Sequence, residues 1–272
     1  ATAGIETDKV SKVWQQKSNE VADVVVVPSV HSAASFTTGI YDSNVRGPQQ
    51  TLLRKPLCIL QDWVDTSIFN TDKVDPCSIN LDDMPDFNFI AVGLGLDKND
   101  GEDRKNISSL VKWFCEQFKD NKDVGLLLKV SMVNYSELDL KNIKHRIQFI
   151  KSQTGCGQFP RIKLIHGRLS DSDLAAFYKE PKVKAFITTT HGEGYGLPII
   201  EAAACGLPVL ATNWSGHLDF LHIDGKKKFV PLDYKLVDVP QSSVWEGVIE
   251  QGTKWANVDE NDVKMKMSKV VL

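Results

Sequence analysis

Two glutamates eight positions apart are the residues whose type and spacing best suit chemistry in this sequence. Glu193 lies in a glycine-rich turn (192–196), and Glu201 falls about one turn inside the helix that Pro198 is expected to open. Ionised carboxylates only accept hydrogen bonds, so they suit paired sugar hydroxyls. Glycines let the backbone approach a ligand, and unpaired amides at a helix start favour an anion. The pattern predicts a site for hydroxyls beside an anion, with Glu193 reaching outward from its loop.

A pair of cations opens a second predicted helix. Arg104 and Lys105 follow Asp103 at the start of a helix expected over about 104–119. The amino-terminal end of a helix carries partial positive charge, so cations there are electrostatically misplaced unless an anion compensates them. The pair therefore indicates an anionic ligand, and a solvated pair at a helix start is the alternative.

These charged residues need a scaffold, and alternating apolar runs and amphipathic segments supply one. Near-continuous apolar strands separated by helix-length segments predict βαβ units, and hence a doubly wound, Rossmann-like parallel α/β sheet. Such sheets bind ligands at the carboxyl ends of their strands. The predicted strands are Phe87–Val92, Val124–Val130, Arg161–Ile165, Val183–Thr188, Pro208–Ala211 and Lys228–Pro231. The predicted helices are 104–119, 137–152, 171–179, 197–205 and 242–251.

The chain upstream of this sheet is less regular. A helix-like segment is followed by a strand at Val24–Val27, a Ser/Thr/Gly-rich loop over 29–39 and a short strand at Leu57–Leu60. A Pro/Asp-rich connection through Pro76 leads into the sheet. The predicted divisions are 1–50 for the end of one domain, 51–86 for an interdomain connection and 87–272 for a ligand-binding domain.

Bulk properties narrow the function. The 272 residues are 42% hydrophobic and carry a formal net charge of −3, so neither nucleic acid nor an anionic membrane is an expected partner. Five cysteines without a CxxC pair indicate a reduced, cytoplasmic protein. No apolar run approaches the roughly 18 residues of a membrane span. No metal-ligand spacing is apparent, so neither a metal nor another cofactor is expected.

The segment around the two acids resembles a known family. Residues 193–209 read Glu-Gly-Tyr-Gly-Leu-Pro-Ile-Ile-Glu-Ala-Ala-Ala-Cys-Gly-Leu-Pro-Val and are similar to the Glu-x7-Glu signature of the family 4 glycosyltransferases. The resemblance implies that Glu193 contacts hydroxyls of the transferred sugar and that Glu201 holds the ribose of the nucleotide. It implies that the turn residues Gly194, Tyr195, Gly196 and Leu197 hold the donor sugar and its phosphates. The alternative is that both acids are ordinary helix-start and surface carboxylates.

The same resemblance assigns roles to residues elsewhere. Lys105 and Arg104 would together neutralise the departing diphosphate, because preorganised cations stabilise charge that develops there. Many relatives carry an arginine where Leu94 stands, so this chain departs from the family pattern at that point. Leu169 or Arg168 would lie beside the nucleotide base, with plain loop structure as the alternative.

The resemblance also implies a whole enzyme. Family members have the two-domain GT-B fold, and this chain is similar mainly to the carboxy-terminal, nucleotide-sugar-binding domain, with residues 1–50 as the end of the amino-terminal, acceptor-side domain. The implied activity is retaining, metal-independent transfer of a hexose from a UDP-, GDP- or ADP-sugar to a glycan, lipid or protein acceptor. The chain is expected to be a fragment that binds donor and transfers poorly. The rival interpretations are a non-catalytic nucleotide-sugar-binding module and a sugar-nucleotide epimerase or phosphorylase of the same fold.

Several residues near the glycine turn stay without a specific role. His191 is more often a satisfied polar residue than a ligand contact, Trp214 is expected to pack, and His217 is unassigned. Three further tryptophans are expected to be structural: Trp63, Trp245 and Trp255.

Overall fold

A computed structural model describes residues 4–38, 40–41, 50–72, 77–96, 101–155 and 158–272. Gly39 in the predicted loop, Pro76 in the predicted connection and Cys156 lie outside these residues. The upstream elements are α1 (Lys12–Val21), β1 (Val25–Val27), α2 (Val30–Thr37), β2 (Ile40–Tyr41), β3 (Gln50–Thr51) and β4 (Leu57–Ile59). The downstream strands are β5 (Phe87–Leu94), β6 (Val124–Ser131), β7 (Arg161–Ile165), β8 (Val183–Thr188), β9 (Val209–Thr212), β10 (His222–Ile223), β11 (Lys226–Lys227), β12 (Val230–Leu232), β13 (Tyr234–Asp238) and β14 (Lys254–Val258). The downstream helices are α3 (Ile107–Gln117), α4 (Glu137–Gln153), α5 (Asp171–Tyr178), α6 (Leu197–Ala204), α7 (Leu218–Leu221) and α8 (Glu260–Val271).

A six-stranded sheet in the order β12-β9-β8-β5-β6-β7 carries the downstream part of the chain. Every neighbouring pair in it is parallel. All eight residues of β6 are buried, which explains why this strand is apolar along most of its length, with Lys129 and Ser131 as its polar residues. The prediction of a doubly wound parallel α/β sheet is confirmed.

Two hydrophobic cores cover the two faces of this sheet. Helices α3, α4 and α8 pack on one face around Phe89, Leu128 and Val263. Helices α5 and α6 pack on the other face around Ile90 and Phe186, together with apolar side chains from residues 64–69 and 77–84. Helices on both faces force ligands to approach the sheet from its ends, because the faces are closed.

The upstream elements form a second, smaller unit. Strand β1 pairs in parallel with β4, and α2 lies in the connection between them. Val25, Val27 and Phe36 form its core. This parallel βαβ arrangement is Rossmann-like, as predicted for the end of a second domain. Strand β4 belongs by pairing to this unit, and the boundaries at 50 and 86 remain a prediction.

The predicted loop over 29–39 is wrong, because residues 30–37 form helix α2. Serines and threonines indicated a loop, but Ser29 acts as the helix cap. Its hydroxyl accepts a hydrogen bond from the amide of Ser32, which satisfies one of the free donors at the helix start. Ser32, Ser35 and Phe36 then form the buried side of the helix.

The predicted helix over 242–251 is also wrong. A short 3-10 turn at Gln241–Ser243 is followed by a bridge that pairs Trp245 with Ile249. Gly247 has φ of 80°, a left-handed conformation that a helix interior does not accommodate. The apolar spacing of this segment therefore reflects a compact loop and not a helical stripe.

Residues 8–14 are hydrogen-bonded to the loop over 241–251 and to the start of β14. Asp8 and Lys254 bond reciprocally, through the Asp8 amide to the Lys254 carbonyl (2.8 Å) and the Lys254 amide to the Asp8 carboxylate (2.6 Å). The Ser11 hydroxyl donates to Glu250 (2.5 Å), and the Trp14 indole N–H donates to the Gly247 carbonyl (2.5 Å). These bonds join residues more than 230 positions apart in sequence, so the upstream and downstream units are bound together here.

Two expected absences can be compared with the described residues. None of the helices within them is long and apolar enough to cross a bilayer. None of the four described cysteines forms a disulfide bond within the described residues: Cys58, Cys77, Cys115 and Cys205.

Candidate functional site

The candidate site lies at the carboxyl ends of the two central strands, β5 and β8. These strands are neighbours, but β5 leads through α3 to β6 on one side, and β8 leads through α6 to β9 on the other. The chain therefore leaves the two strands in opposite directions, which opens a crevice between their ends. Lys105 follows β5 and Glu193 follows β8, so the topology brings both to this crevice.

A buried group of charges occupies the crevice. Lys105 Nζ lies 2.5 Å from Glu193 Oε1, and Arg104 Nη1 lies 3.6 Å from Glu193 Oε2. Burial acts to raise the pKa of Glu193, but the charges of Lys105 and Arg104 overcome it and lower that pKa to about 2. Burial lowers the pKa of Lys105, and Glu193 opposes that shift. The two cations and the acid thus form one electrostatic unit.

The cations face the crevice because they precede the helix. Helix α3 begins at Ile107, three residues later than predicted, and Asp103 caps it by accepting from the amides of Ile107 (3.0 Å) and Ser108 (3.3 Å). Asn106 has φ of 54°, a left-handed turn that asparagine tolerates well. Arg104 and Lys105 therefore lie in a loop. Glu193 is an anionic partner for both of them.

Glu193 does not reach outward, contrary to the prediction. Its side chain is 7% exposed, and its backbone is held on the far side by the turn after β9. The Glu193 amide donates to the Ser215 hydroxyl (2.9 Å), and the Gly216 amide donates to the Glu193 carbonyl (2.9 Å). Ser215 has φ of 89°, so this turn is strained at a non-glycine residue. The acid is consequently fixed in position by both its side chain and its main chain.

The glycine turn is crowded by other backbone. A Cβ at Gly194 would lie 2.0 Å from the Cα of Gly4, and the Ser29 hydroxyl donates to the Gly194 carbonyl (2.6 Å). Gly196 has φ of 103° and precedes the first residue of α6. The turn therefore needs glycine at 194 for close approach and at 196 for conformation. The upstream segment, which was not expected at the site, provides the approaching chain.

Glu201 lies on α6 away from the charged group. It is partly buried beside α5, near the Tyr178 hydroxyl, which donates to the Pro198 carbonyl (3.4 Å). Burial raises the pKa of Glu201 to about 7, and the nearby charge of Asp171 adds to this effect. The carboxylate is thus an accessible acceptor whose charge changes near neutral pH.

The remaining predicted donor contacts are spread along the same edge. Tyr195 is buried, with its ring 5.1 Å from that of Phe220, whereas Leu197 is 43% exposed at the start of α6. Leu169 is half-buried against the core beside α5, and Arg168 is exposed. The structure thus brings Arg104, Lys105 and Glu193 into contact. Glu201 and Leu169 lie towards α5.

The histidines near the turn are structural. The His191 ring stacks on Trp255 at 4.3 Å, and its Nδ1 bonds to the Ala256 carbonyl (2.6 Å). His217 Nε2 bonds to the Thr212 carbonyl (2.6 Å). Burial lowers the pKa of both rings, to about 4 for His191. Both rings are therefore neutral at physiological pH and hold the loops that present Glu193.

The prediction that all three of the other tryptophans are structural is wrong for two of them. Trp63 is 78% exposed and Trp245 is 67% exposed, whereas Trp255 is buried as expected. Trp214 packs as predicted, with its ring 4.6 Å from that of His31. Trp245 borders a cavity beside Arg104, and this position makes it a candidate contact residue.

Glu6 is a site residue that the sequence did not reveal. Its carboxylate lies 3.8 Å from Arg104 Nη1, and burial raises its pKa, as does the nearby charge of Glu193. Glu6 and Glu193 are separated by 187 positions, so no motif spacing connects them. The strand-to-loop topology alone could not predict this contact, because Glu6 belongs to the upstream unit.

No group of three or more His, Cys, Asp and Glu side chains is arranged to hold a metal ion in the part of the chain that the structure describes. The positive charge beside Glu193 comes from the side chains of Lys105 and Arg104. Any diphosphate at this edge would therefore meet positive charge from Lys105 and Arg104.

Comparison with known proteins addresses this same edge. Residues 162–231 match the family model described as glycosyl transferases group 1. The group 1 segment, residues 162–231, is thus similar to the glycosyl transferases of group 1. It includes Glu193, the glycine turn, Glu201 and Leu169, and it leaves Arg104, Lys105 and Glu6 outside.

Curated relatives and a solved structure extend the similarity beyond the group 1 segment. Sucrose synthase of Solanum tuberosum is 28% identical over 128 residues, which cover 46% of this chain and 16% of that protein. A probable sucrose-phosphate synthase of Thermosipho melanesiensis is 27% identical over 171 residues, covering 62% and 35%. The sucrose-phosphate synthase structure from Thermosynechococcus elongatus superposes with a TM-score of 0.60 at 19% identity, covering 96% of this chain and 52% of that one. The chain thus has a GT-B-type fold and spans about half of that structure and a smaller share of these curated relatives.

Proposed function

We propose that this chain is the donor-binding part of a retaining glycosyltransferase that transfers a hexose from a nucleotide sugar to an acceptor hydroxyl. The observation that carries the proposal is the group 1 segment, in which Glu193 and Glu201 flank the glycine turn. Two acids on one rim of a parallel sheet, with two cations beside the first, match the chemistry of a glycosyl diphosphate. Its hydroxyls need acceptors and its phosphates need positive charge.

Each part of the donor has a proposed partner. Glu201, on the side of α6 that faces α5, takes the ribose hydroxyls, and Leu169 packs beside the base. The free amides at the start of α6, from Gly194 to Leu197, face the diphosphate. Glu193, at the start of the glycine turn, takes hydroxyls of the hexose. It lies beside Lys105, which is proposed to contact the diphosphate next to that sugar.

The cations are proposed to stabilise the leaving group. As the bond between the anomeric carbon and the phosphate oxygen breaks, negative charge develops on the diphosphate. Lys105 and Arg104 are already positioned at the crevice, and a guanidinium has five N–H donors, so Arg104 can contact phosphate while it keeps Glu193. The acceptor oxygen then bonds to the anomeric carbon and its proton passes to the leaving diphosphate. We propose that this transfer uses no metal and takes place in the cytoplasm.

Calorimetric titration with UDP-glucose, GDP-mannose and ADP-glucose tests the donor site. We expect at least one of them to bind, and the affinity to fall by about 10–100-fold in Lys105→Ala and Glu201→Ala, because each loses hydrogen bonds to a charged or polar group. Lys184→Ala and Glu137→Gln are matched controls at exposed positions and should leave the affinity unchanged. A thermal melt of every variant separates lost binding from lost folding.

Two outcomes overturn the proposal. One is that none of the three nucleotide sugars binds to the folded wild-type chain. The other is that one of them binds equally well to wild type, Lys105→Ala and Glu201→Ala. In either case the nucleotide sugar does not use the crevice between β5 and β8.

A further inference from the structure

A cavity of about 480 Å³ adjoins the charged crevice on the side of Arg104 and Glu6. It lies between the loop after β5 and the loop that precedes β14. No predicted donor contact on α6 or after β7 lines it. Its volume is in the range of small-molecule sites. The cavity, which we call the Trp245 cavity, is lined by Glu6, Leu94, Gly95, Glu102, Asp103, Arg104, Met132, Ser243, Val244, Trp245, Val248, Ile249 and Trp255.

One end of the Trp245 cavity is apolar. Val248 and Ile249 line it together with Trp245, whose side chain is 67% exposed. An exposed indole at the rim of a cavity offers a flat apolar surface with a single N–H donor. The C–H face of a sugar ring is complementary to such a surface. This end of the cavity therefore favours a ring-bearing ligand.

The other end of the cavity is polar and predominantly acidic. Glu6, Glu102 and Asp103 contribute three formal negative charges, and Arg104 contributes one positive charge. Arg104 is already engaged by the Gly192 carbonyl (3.1 Å) and by the two carboxylates of Glu6 and Glu193. A phosphate entering this end would face three carboxylates and a single guanidinium, so the net interaction at this end is repulsive. The charge distribution therefore favours a neutral, hydroxyl-rich ligand.

The cavity and the crevice share residues, so a ligand in one lies next to a ligand in the other. Glu6 is 3.8 Å from Arg104, which is 3.6 Å from Glu193. Glu6 lines the cavity and is also within the charged group. A carboxylate at this junction can accept a hydrogen bond from a ligand hydroxyl and orient it towards the crevice.

We propose that the Trp245 cavity is the acceptor subsite and takes a neutral, unphosphorylated sugar, with Glu6 as a positioning residue for its hydroxyl. The proposal rests on the proposed transferase function and adds the chemical class of the acceptor. Trp245 provides the surface under the ring, and the acidic end excludes sugar phosphates. Glu6 acts on the acceptor through orientation and takes no part in donor binding.

Ligand-observed NMR with saturation transfer tests this assignment directly. The probes are glucose, fructose, mannose, galactose and maltose, each with and without UDP, together with glucose 6-phosphate and fructose 6-phosphate. We expect at least one neutral sugar to bind and both sugar phosphates to bind more weakly. Trp245→Ala should weaken the neutral sugar about tenfold. Trp63→Ala removes an indole that is also exposed, at 78%, but does not line the cavity, and it should have no effect.

Glu6→Gln separates positioning from structure. It keeps the size of the side chain and one hydrogen-bonding oxygen, so we expect the thermal stability to be retained. Neutral-sugar affinity should fall, and the binding of glucose 6-phosphate should improve because one negative charge is removed. The acceptor assignment is overturned if the sugar phosphates bind as well as the neutral sugars, or if binding is the same in Trp245→Ala and Trp63→Ala.

UDP titrated into the same samples distinguishes the two levels of the proposal. If UDP binds and no neutral sugar does, the acceptor assignment fails and the donor site stands. If neutral sugars bind in a Trp245-dependent manner while neither UDP nor the nucleotide sugars bind, the transferase function fails and a sugar site remains.

Discussion

Lys105 Nζ lies 2.5 Å from Glu193 Oε1, and the two side chains are only 12% and 7% exposed. The lysine comes from the loop after β5 and the glutamate from the loop after β8, so the pair joins the carboxyl ends of the two central strands. Because both charges are buried, each depends on the other for compensation. An incoming diphosphate must share Lys105 with Glu193.

We predict that Lys105→Ala destabilises the protein by about 3–5 kcal/mol, because it leaves the Glu193 carboxylate buried without its main partner. Urea unfolding followed by circular dichroism measures the effect. The double variant Lys105→Met/Glu193→Leu should recover most of the loss, since removing both charges also removes the need to compensate them. Lys254→Ala is the matched control: its ion pair with Asp238 is exposed and worth at most about 1 kcal/mol. Equal losses in the Lys105 and Lys254 variants would contradict a buried, mutually dependent pair.

Glu201 gives a prediction about pH. Its folded-state pKa of about 7 lies above the ordinary value of 4.5, so the folded protein binds this proton more tightly than the unfolded chain does. The resulting stability is present below the ordinary pKa and is lost as the pH rises through about 7. Glu201→Gln should therefore raise the melting temperature at about pH 8 by a few degrees, which corresponds to about 1 kcal/mol after allowance for solvent screening. At about pH 5 the gain should shrink, and an equal gain at both pH values would show that burial of this charge is not the cause.

Ser215 combines strain with a useful hydrogen bond, and two substitutions separate them. Ser215→Gly relieves the backbone strain at φ 89° but loses the bond from the Glu193 amide, so its stability should stay near that of the wild type. Ser215→Ala loses the bond and keeps the strain. We expect it to be less stable than Ser215→Gly by about 1 kcal/mol, as measured by urea unfolding. The reverse order would mean that the turn is not strained.

The crowding of the glycine turn is testable at Gly194. A methyl group there would lie 2.0 Å from the Cα of Gly4, so Gly194→Ala should displace the first residues from the turn. Hydrogen exchange should then show faster exchange of the Asp8 amide, which the wild type protects through its bond to Lys254. Gly155→Ala is the control, because its positive φ strains the substitution but no atom lies nearby. An unchanged Asp8 amide would show that the first residues are held independently of the turn.

The sheet was predictable because its strands are buried on both faces. Strands β7 and β8 begin and end at the predicted residues, and α5 and α6 differ by one residue at their ends. Apolar runs bounded by helix-length segments leave few other arrangements. The segment over 242–251 failed because its apolar residues pack in a loop, where spacing of three or four is accidental and Gly247 prevents a helix.

The site was predictable only where its residues share a local motif. Glu193 and Glu201 stand in one turn-helix segment, and Arg104 and Lys105 stand beside one helix start. The burial of Glu193 and the presence of Glu6 depend on contacts between distant parts of the chain, which no local pattern encodes. The exposure of Trp245 is likewise a tertiary property, since the residue type alone does not say whether other parts of the chain pack against the indole.

The reciprocal bonds between Asp8 and Lys254 have a consequence for how the protein can be divided. A nick or cleavage anywhere between β4 and β5 would leave a large piece with a complete sheet. That piece would lack Gly4, Glu6 and Asp8, so one flank of the glycine turn would face water and Arg104 would have one carboxylate fewer. Ligand affinities measured on such a piece would describe a site without its upstream residues. Adding the small piece back as a peptide should restore the contacts beside the glycine turn.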